Sequence, residues 1–377
     1  MGNHPEGPRE NERVAPEKAV LSPREYFRDL ALEASRAKES ITLKAMLFDD
    51  SGAARAIAEV FKQAPKHVKK KLILDAYVSL VQKDSVEALS KKHSVFGHKI
   101  SGAKREKYEF LIREFKKEGV DVEIINPPTN RTGHVVPWKG RDHIKAAVID
   151  GGKKMYFGGV NFNRDDEYVD FMVKYEGHVA HELAKTLEGI QNGTITDNLV
   201  RQLDEHTKLL VDIGKPGESV IVPEVVDMVR GAQKSIVNIS LFGPDGVFQK
   251  ALRSQARGTA QKKPEQTEVL MSAQTLTKKF LGWGHVYDIV RKRRQQKLAQ
   301  SGVSVLEVPE FVHGKLVIID REDVAKGGAK AYFGAHNLDR GTVLAGMKEW
   351  GIITSDPVLI ANLCAFYDKA KRNARTV

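Results

Sequence analysis

The chain has 377 residues, 41% hydrophobic and 29% charged, with 60 Lys/Arg against 49 Asp/Glu for a formal charge of +11. This length suits two domains or one duplicated pair, and the composition excludes a disordered or fibrous chain. No run of eighteen apolar residues or signal-peptide core is visible, and Cys364 as the sole cysteine excludes an internal disulfide. The expected location is cytoplasmic, with peripheral contact at a membrane surface left open. The positive charge attracts polyanions, whether nucleic acid or anionic membrane.

Residues 1–22 read as a flexible lead-in, 23–200 as a first half and 201–377 as a second. Ser22-Pro23 opens a helix through Tyr26, Phe27, Leu30 and Leu32, with an N-cap and a proline at the first helical position. A strand at 41–48, a helix at 53–61 and a strand at 71–77 follow. A charged helix over 103–117 stops at Gly119, and strands are expected at 120–125, 143–149, 155–157 and 170–175. A helix then runs through Leu183 and Leu187.

After a junction near 195–215 the same order returns. It runs helix 222–232, strand 235–241, strand 268–272, basic helix 286–299, strands 303–308, 315–319, 331–333 and 350–354, and a last helix 357–371. That helix carries Cys364 on an apolar face, as a structural residue. This alternation indicates an α/β fold with helices covering mixed sheets.

The repeat is also visible in residues. Glu118-Gly119-Val120-Asp121-Val122 answers Ser301-Gly302-Val303-Ser304-Val305, and Phe96-Gly97-His98 answers Trp283-Gly284-His285. His143-Ile144-Lys145 answers His313-Gly314-Lys315. Three pairs in the same order imply a duplication, with the halves packed about a pseudo-twofold axis.

The third pair carries chemistry. His143-x-Lys145 ends at Asp150 and is followed by Gly158-Gly159-Val160-Asn161; His313-x-Lys315 ends at Asp320 and is followed by Gly334-Ala335-His336-Asn337. His and Lys two apart on a strand share a face. Cleaving a phosphodiester without a metal needs a nucleophile, an acid for the leaving alkoxide, and donors for the non-bridging oxygens. Two facing halves supply two imidazoles, two ammonium groups and two amides.

The doubled HxK(x)4D motif resembles the phospholipase D superfamily, and the resemblance runs from about residue 20 to the end. It implies the duplicated phospholipase D-type fold, two mixed β-sheets flanked by helices, and a covalent phosphohistidine with no metal and no cofactor. It implies His143 as nucleophile and His313 as acid. Lys145, Lys315, Asn161, Asn337 and Gly159 then bind phosphate, and Asp170 and Glu349 are the carboxylates that orient the histidines. Asp150 and Asp320 are counted with the catalytic set; holding the motif strands and orienting neighbouring imidazoles is their alternative role. Serine is absent from both Gly158-Gly159 and Gly334-Ala335, which bears on substrate contacts.

A third HxK, His206-Thr207-Lys208, has its Asp212 one residue too early and lacks the Gly-x-x-Asn, so it reads as a decoy. No Cys pair, HExxH or acidic cluster indicates a metal. His98 and His285 read as packing residues, with lining the groove as the alternative. The charge concentrates in two equivalent places: 62–118 carries fifteen Lys/Arg against seven Asp/Glu, and 250–300 twelve against three. Both are expected to flank one groove.

Two substrates fit that groove. Arg141-Asp142-His143-Ile144-Lys145 after Ile125-Asn126-Pro127, and Asp170-Phe171-Met172-Val173-Lys174-Tyr175-Glu176-Gly177, resemble cardiolipin synthases, which implies hydrolysis or phosphatidyl transfer on anionic phospholipid. The alternative is a metal-independent nuclease; Phe96, Tyr108, Phe280, Trp283 and Tyr287 are the aromatics of the basic stretches. With both motifs in one chain, a monomer is expected.

Overall fold

The computed structural model describes residues 18–48, 52–75, 102–126, 140–162, 168–241, 243–258, 264–273 and 283–377, with backbone alone at 102–109 and 283–288. The first half comprises β1 (Lys18–Leu21), α1 (Pro23–Ser35), β2 (Ser40–Ala45), α2 (Gly52–Gln63), β3 (Lys69–Asp75), α3 (Gly102–Lys117), β4 (Val120–Ile125), β5 (Ala146–Ile149), β6 (Lys154–Gly158), β7 (Tyr168–Val169), β8 (Met172–Glu176) and α4 (Gly177–Gln191).

The second comprises β9 (Leu199–Gln202), β10 (Thr207–Ile213), α5 (Ile221–Arg230), β11 (Ser235–Ile239), α6 (Gly246–Arg257), β12 (Gln266–Ser272), α7 (Trp283–Ala299), β13 (Ser304–Val308), β14 (Phe311–Val312), β15 (Leu316–Ile319), β16 (Lys330–Gly334), α8 (Arg340–Ala345), β17 (Lys348–Thr354), α9 (Pro357–Ala370) and β18 (Arg375–Thr376).

The first sheet runs β1-β8-β6-β5-β2-β3-β4, and the second β18-β13-β12-β11-β15-β16-β17-β10-β9. Read from β10 to β13, the second repeats the first strand for strand, so the fold is α/β, mixed and duplicated. In both, three consecutive strands are parallel (β2-β3-β4 and β11-β12-β13) and the others antiparallel.

This equivalence corrects the expected lead-in. Lys18–Leu21 is a strand of the first sheet, with Lys18 opposite Tyr175 and Leu21 opposite Met172. Its counterpart β10 lies in the stretch expected to be a junction, and the division at 200 and 201 falls inside β9. Four residues of alternation are too few to stand out in a sequence; the edge of β8 selects them.

The capping box of Ser22 and Glu25 starts α1 where Pro23 predicts it. Helices cover one face of each sheet: Tyr26, Leu30, Ile57, Phe61 and Phe115 on the first, and Val225, Val229, Leu252 and Leu298 on the second. The other faces share one core, in which Phe157 stands edge-on to Trp350 at 4.8 Å and Phe171 meets Phe333 and Phe366. Cys364 is half-buried on α9 beside this core.

The motif aspartates belong to the fold. Asp150 and Asp320 adopt left-handed φ of 50° and 53°, a conformation Asp tolerates better than most residues. Asp150 accepts backbone N–H bonds from Lys38, Glu39 and Ser40, and Asp320 from Gln233, Lys234 and Ser235. Each carboxylate ties the end of its motif strand to the start of the neighbouring β2 or β11. The expected catalytic role is therefore corrected: a four-residue strand lies between each Asp and its motif Lys, five steps or roughly 16 Å along the chain. Asp320→Ala is expected to cost about 2 kcal/mol through loss of these charged acceptors. Thermal unfolding would show a lower Tm, while turnover per folded molecule stays within about two-fold of wild type.

Candidate active site

Each HxK segment leaves its own sheet and pairs with the other half. Phe311 and Val312 lie parallel to Tyr168 and Val169, and Asp142 bridges to Lys348 in the same sense. The N–H of His143 donates to the Lys348 carbonyl (2.9 Å), and that of His313 to the Val169 carbonyl (2.8 Å). The residues after these acceptors are Glu349 and Asp170. Each histidine therefore meets the other half's carboxylate: His143 Nδ1 lies 2.7 Å from Glu349 Oε1, and His313 Nδ1 lies 2.6 Å from Asp170 Oδ2. A carboxylate on Nδ1 leaves Nε2 as the reactive nitrogen.

Both lysines curl back on their own motif. Lys145 Nζ donates to the His143 carbonyl (2.7 Å); Lys315 Nζ donates to the His313 carbonyl (2.5 Å) and lies 3.0 Å from His313 Nε2. His143, Lys145, Lys315, Asp170 and Glu349 are buried, and His313 keeps slight exposure. His143, Lys145, His313, Lys315, Asp170 and Glu349 thus form one cluster between the halves.

Burial and the two lysines push His143 well below the usual imidazole range. Burial and Lys315 bring His313 down to about 3, against the opposing charge and hydrogen bond of Asp170. Burial lifts Glu349 to about 7, lowers Lys315 to about 8, and lowers Lys145 well below its ordinary value. An anion between the lysines would favour their charged forms, as a phosphodiester does.

The amides and glycine divide. Asn161 is buried and its Oδ1 accepts from Leu47 N–H (3.1 Å), which orients the side chain; Asn337 Oδ1 is buried without a partner. The N–H of Gly159 is taken by the Phe171 carbonyl (3.1 Å), which corrects its expected part in phosphate binding. A Cβ at Gly159 would stand 2.2 Å from Asp170 Oδ1, so glycine makes room for the carboxylate.

The approach to His143 rests on a buried ionic lattice. Lys44 Nζ donates to Asp142 (2.7 Å), the Asp142 N–H donates to Asp75 (2.8 Å), and Arg141 donates to Asp75 (3.2 Å). Sequence reasoning singled out Arg141-Asp142 by resemblance and missed Lys44 and Asp75, which are distant in sequence. It also missed His336. This histidine is buried at 1% exposure, and its Nδ1 accepts from Leu338 N–H (2.7 Å). The available signal was an ionisable residue where the first half has Val160.

His206 and Lys208 take no part: His206 Nδ1 contacts Ser355 Oγ, and Lys208 pairs with Glu224. His98, Phe96 and Phe280 lie outside the described residues, as do the side chains of Tyr108, Trp283, His285 and Tyr287. Much of the two basic stretches lies there too. Among the described residues no group of three or more His, Cys, Asp or Glu could hold a metal ion.

Neither a family model nor a curated protein matches the sequence. Solved structures do. The phosphatidylserine synthase of Haemophilus influenzae Rd KW20 superposes over 96% of this chain and 87% of its own, with a TM-score of 0.66 at 12% identity. The polyphosphate kinase of Porphyromonas gingivalis covers 94% of this chain and 50% of its own, with a TM-score of 0.55 at 12% identity. Nuc of Salmonella typhimurium, a phospholipase D family member, covers 45% of this chain and 98% of its own, with a TM-score of 0.34 at 16% identity. The chain has the duplicated phospholipase D-type fold.

The shifts set an expected pH dependence. Glu349 must be ionised to hold the Nδ1 proton of His143, so kcat/KM on a phosphodiester falls as pH drops through about 7. Lys315 loses its ammonium charge as pH rises through about 8. A bell between these limits is expected, and a flat profile from pH 6 to 9 would remove both groups from the rate.

Proposed function

We propose that the chain cleaves or transfers phosphodiesters through a phosphohistidine, without a metal, and that its substrate is an anionic phospholipid. The crossed His–carboxylate pairs around two lysines carry this reading. His143 Nε2 attacks phosphorus while Glu349 holds its Nδ1 proton. The bond from phosphorus to the leaving oxygen breaks, and His313 gives that oxygen a proton from Nε2. Water or an alcohol then attacks the phosphohistidine, losing its proton to His313, and the N–P bond breaks. Lys145 and Lys315, with the amides of Asn161 and Asn337, hold the non-bridging oxygens.

The environments of the two pairs support this order of roles. Burial and Lys315 hold His313 low, and Asp170 opposes them by charge and by hydrogen bond, so Asp170 is the partner that steadies the imidazolium an acid requires. Its other oxygen accepts from Phe171 N–H (2.9 Å), which supports the anion. His143 is depressed by burial, both lysines and His336, and a neutral imidazole is the nucleophilic form.

Lipid is favoured over nucleic acid by the surface beside the site. Val247, Ile289, Val290 and Leu344 are exposed on α6, α7 and α8, among exposed Lys250, Lys292, Arg293 and Arg340. Arg294 of α7 pairs with Asp245 at the start of α6 (2.5 Å), Gly246 faces Arg340, and α8 follows Asn337 closely. Aliphatic side chains among cations suit an anionic bilayer, and the described side chains of this face offer bases no stacking surface. Among the described residues no helix is long and apolar enough to cross a membrane, so contact at the surface is the form proposed. Phosphatidylserine synthase, of similar fold, and the resemblance to cardiolipin synthases make phosphatidyl transfer the first reaction to test. One chain supplies both motifs, which supports action as a monomer.

The test incubates the protein in excess EDTA with phosphatidylglycerol vesicles and, separately, with single-stranded DNA. Lipid turnover is expected, lost by on the order of 10³-fold in both His143→Ala and His313→Ala. Products distinguish hydrolysis from transfer. Cleavage of DNA with inert lipid would replace this reading with a nuclease, and loss of all activity in EDTA would overturn the metal-free mechanism.

A further inference from the structure

The two carboxylates of the site are not held alike. Asp170 spends one oxygen on His313 and the other on the N–H of Phe171, its own successor in the chain. Glu349 spends Oε1 on His143, and its Oε2 is buried without a hydrogen-bond partner. The extra methylene of Glu carries the carboxylate past the backbone N–H that the shorter Asp reaches, so a different donor is required. A buried acceptor left unpaired is costly.

Two buried donors without a partner bear on Glu349, the Tyr332 hydroxyl and His336 Nε2, and of the two His336 also bears on His143. His336 Nδ1 accepts from Leu338 N–H, a backbone in the left-handed region at φ 54°, so the imidazole proton sits on Nε2. That Nε2 is also buried without a partner. His336 bears on both Glu349 and His143, and burial holds its imidazole below the usual range, in the neutral form that donates from Nε2. The equivalent position of the first half is Val160, fully buried, where Asp170 needs no third group.

We propose that His336 is a positioning residue for the His143 dyad, whose Nε2–H is given to Glu349 Oε2 and keeps Glu349 ionised and aimed at His143 Nδ1. One carboxylate then joins two imidazoles, the reactive His143 and the fixed His336. This rests on the reading of His143 and Glu349 as a catalytic pair. The charged and titratable groups that face Glu349 are His143 and Lys145 from the first half, and Lys315, His336, Asp339, Asp212 and Tyr332 from the second. Of these, His336 combines burial, an unpaired donor and a locked tautomer.

The test compares His336→Val, which installs the residue of the first half, with His336→Gln, whose amide keeps a donor near Nε2 and gives up the bond from Leu338. Turnover of bis(p-nitrophenyl) phosphate is measured from pH 5 to 9, with His143→Ala as control. For His336→Val, kcat is expected to fall by on the order of ten-fold or more at pH 7 with KM within about two-fold, the scale of losing a group that orients a reactive one. Its acid limb should move up by about one pH unit, because Glu349 without its donor protonates more readily. His336→Gln should keep the wild-type limb and most of kcat.

A substrate-free arm follows the low-field proton resonance of His143 Nδ1, identified by its loss in His143→Ala. It should shift in His336→Val and hold in His336→Gln. Wild-type behaviour of His336→Val, or equal loss in both variants with an unmoved limb and resonance, would reduce His336 to packing and overturn the proposal. Full activity in His143→Ala would instead overturn the catalytic pair itself, and the resonance arm would still decide whether His336 orients Glu349.

Discussion

The short backbone ladders between the halves are the constraint on which the site depends. Two residues of β14 lie beside two of β7, and Asp142 bridges to Lys348. These contacts fix each motif histidine one residue from the opposite half's carboxylate. Neither half contains a complete pair: His143 needs Glu349, and His313 needs Asp170. Any slip of one sheet against the other would separate both pairs together, and the shared apolar core with Phe157 edge-on to Trp350 resists that slip.

Burying two lysines and two histidines with two carboxylates is unfavourable unless every charge is answered. In the resting site the answer is incomplete, as the lowered lysines and the raised Glu349 show. An additional anion would answer the remaining charge, as the proposed function requires. The cost is carried by the surrounding sheets, whose motif strands are tied at their far ends by Asp150 and Asp320 and, on one side, by the lattice of Lys44, Asp142, Asp75 and Arg141. The parts of the motif thus divide into a reactive end and an anchoring end, separated by the length of a strand.

The duplication is close in topology and loose in chemistry. The strand path is the same in both sheets. Yet Asp170 corresponds to Glu349, Val160 to His336 and Lys44 to Ile239, an apolar residue where the first half places the ammonium that holds Asp142. Under the proposed mechanism, with one nucleophile and one acid, two identical halves are not required. These departures at matched positions are where the pseudo-twofold yields to different tasks.

The supporting carboxylates came from the family resemblance. From the sequence alone came the duplication, the alternation of strands and helices and the two histidine–lysine pairs. All are local patterns: period, spacing and residue type survive in one dimension. β1 and β10 were not legible, because strands that short exist only through the edge that receives them. The crossing of the pairs, the anchoring role of Asp150 and Asp320, the use of the Gly159 N–H by Phe171, and the burial of His336 were decided by tertiary structure. Each depends on which chain segment lies opposite another, with separations of 12 to more than 200 residues, and no local pattern encodes that distance.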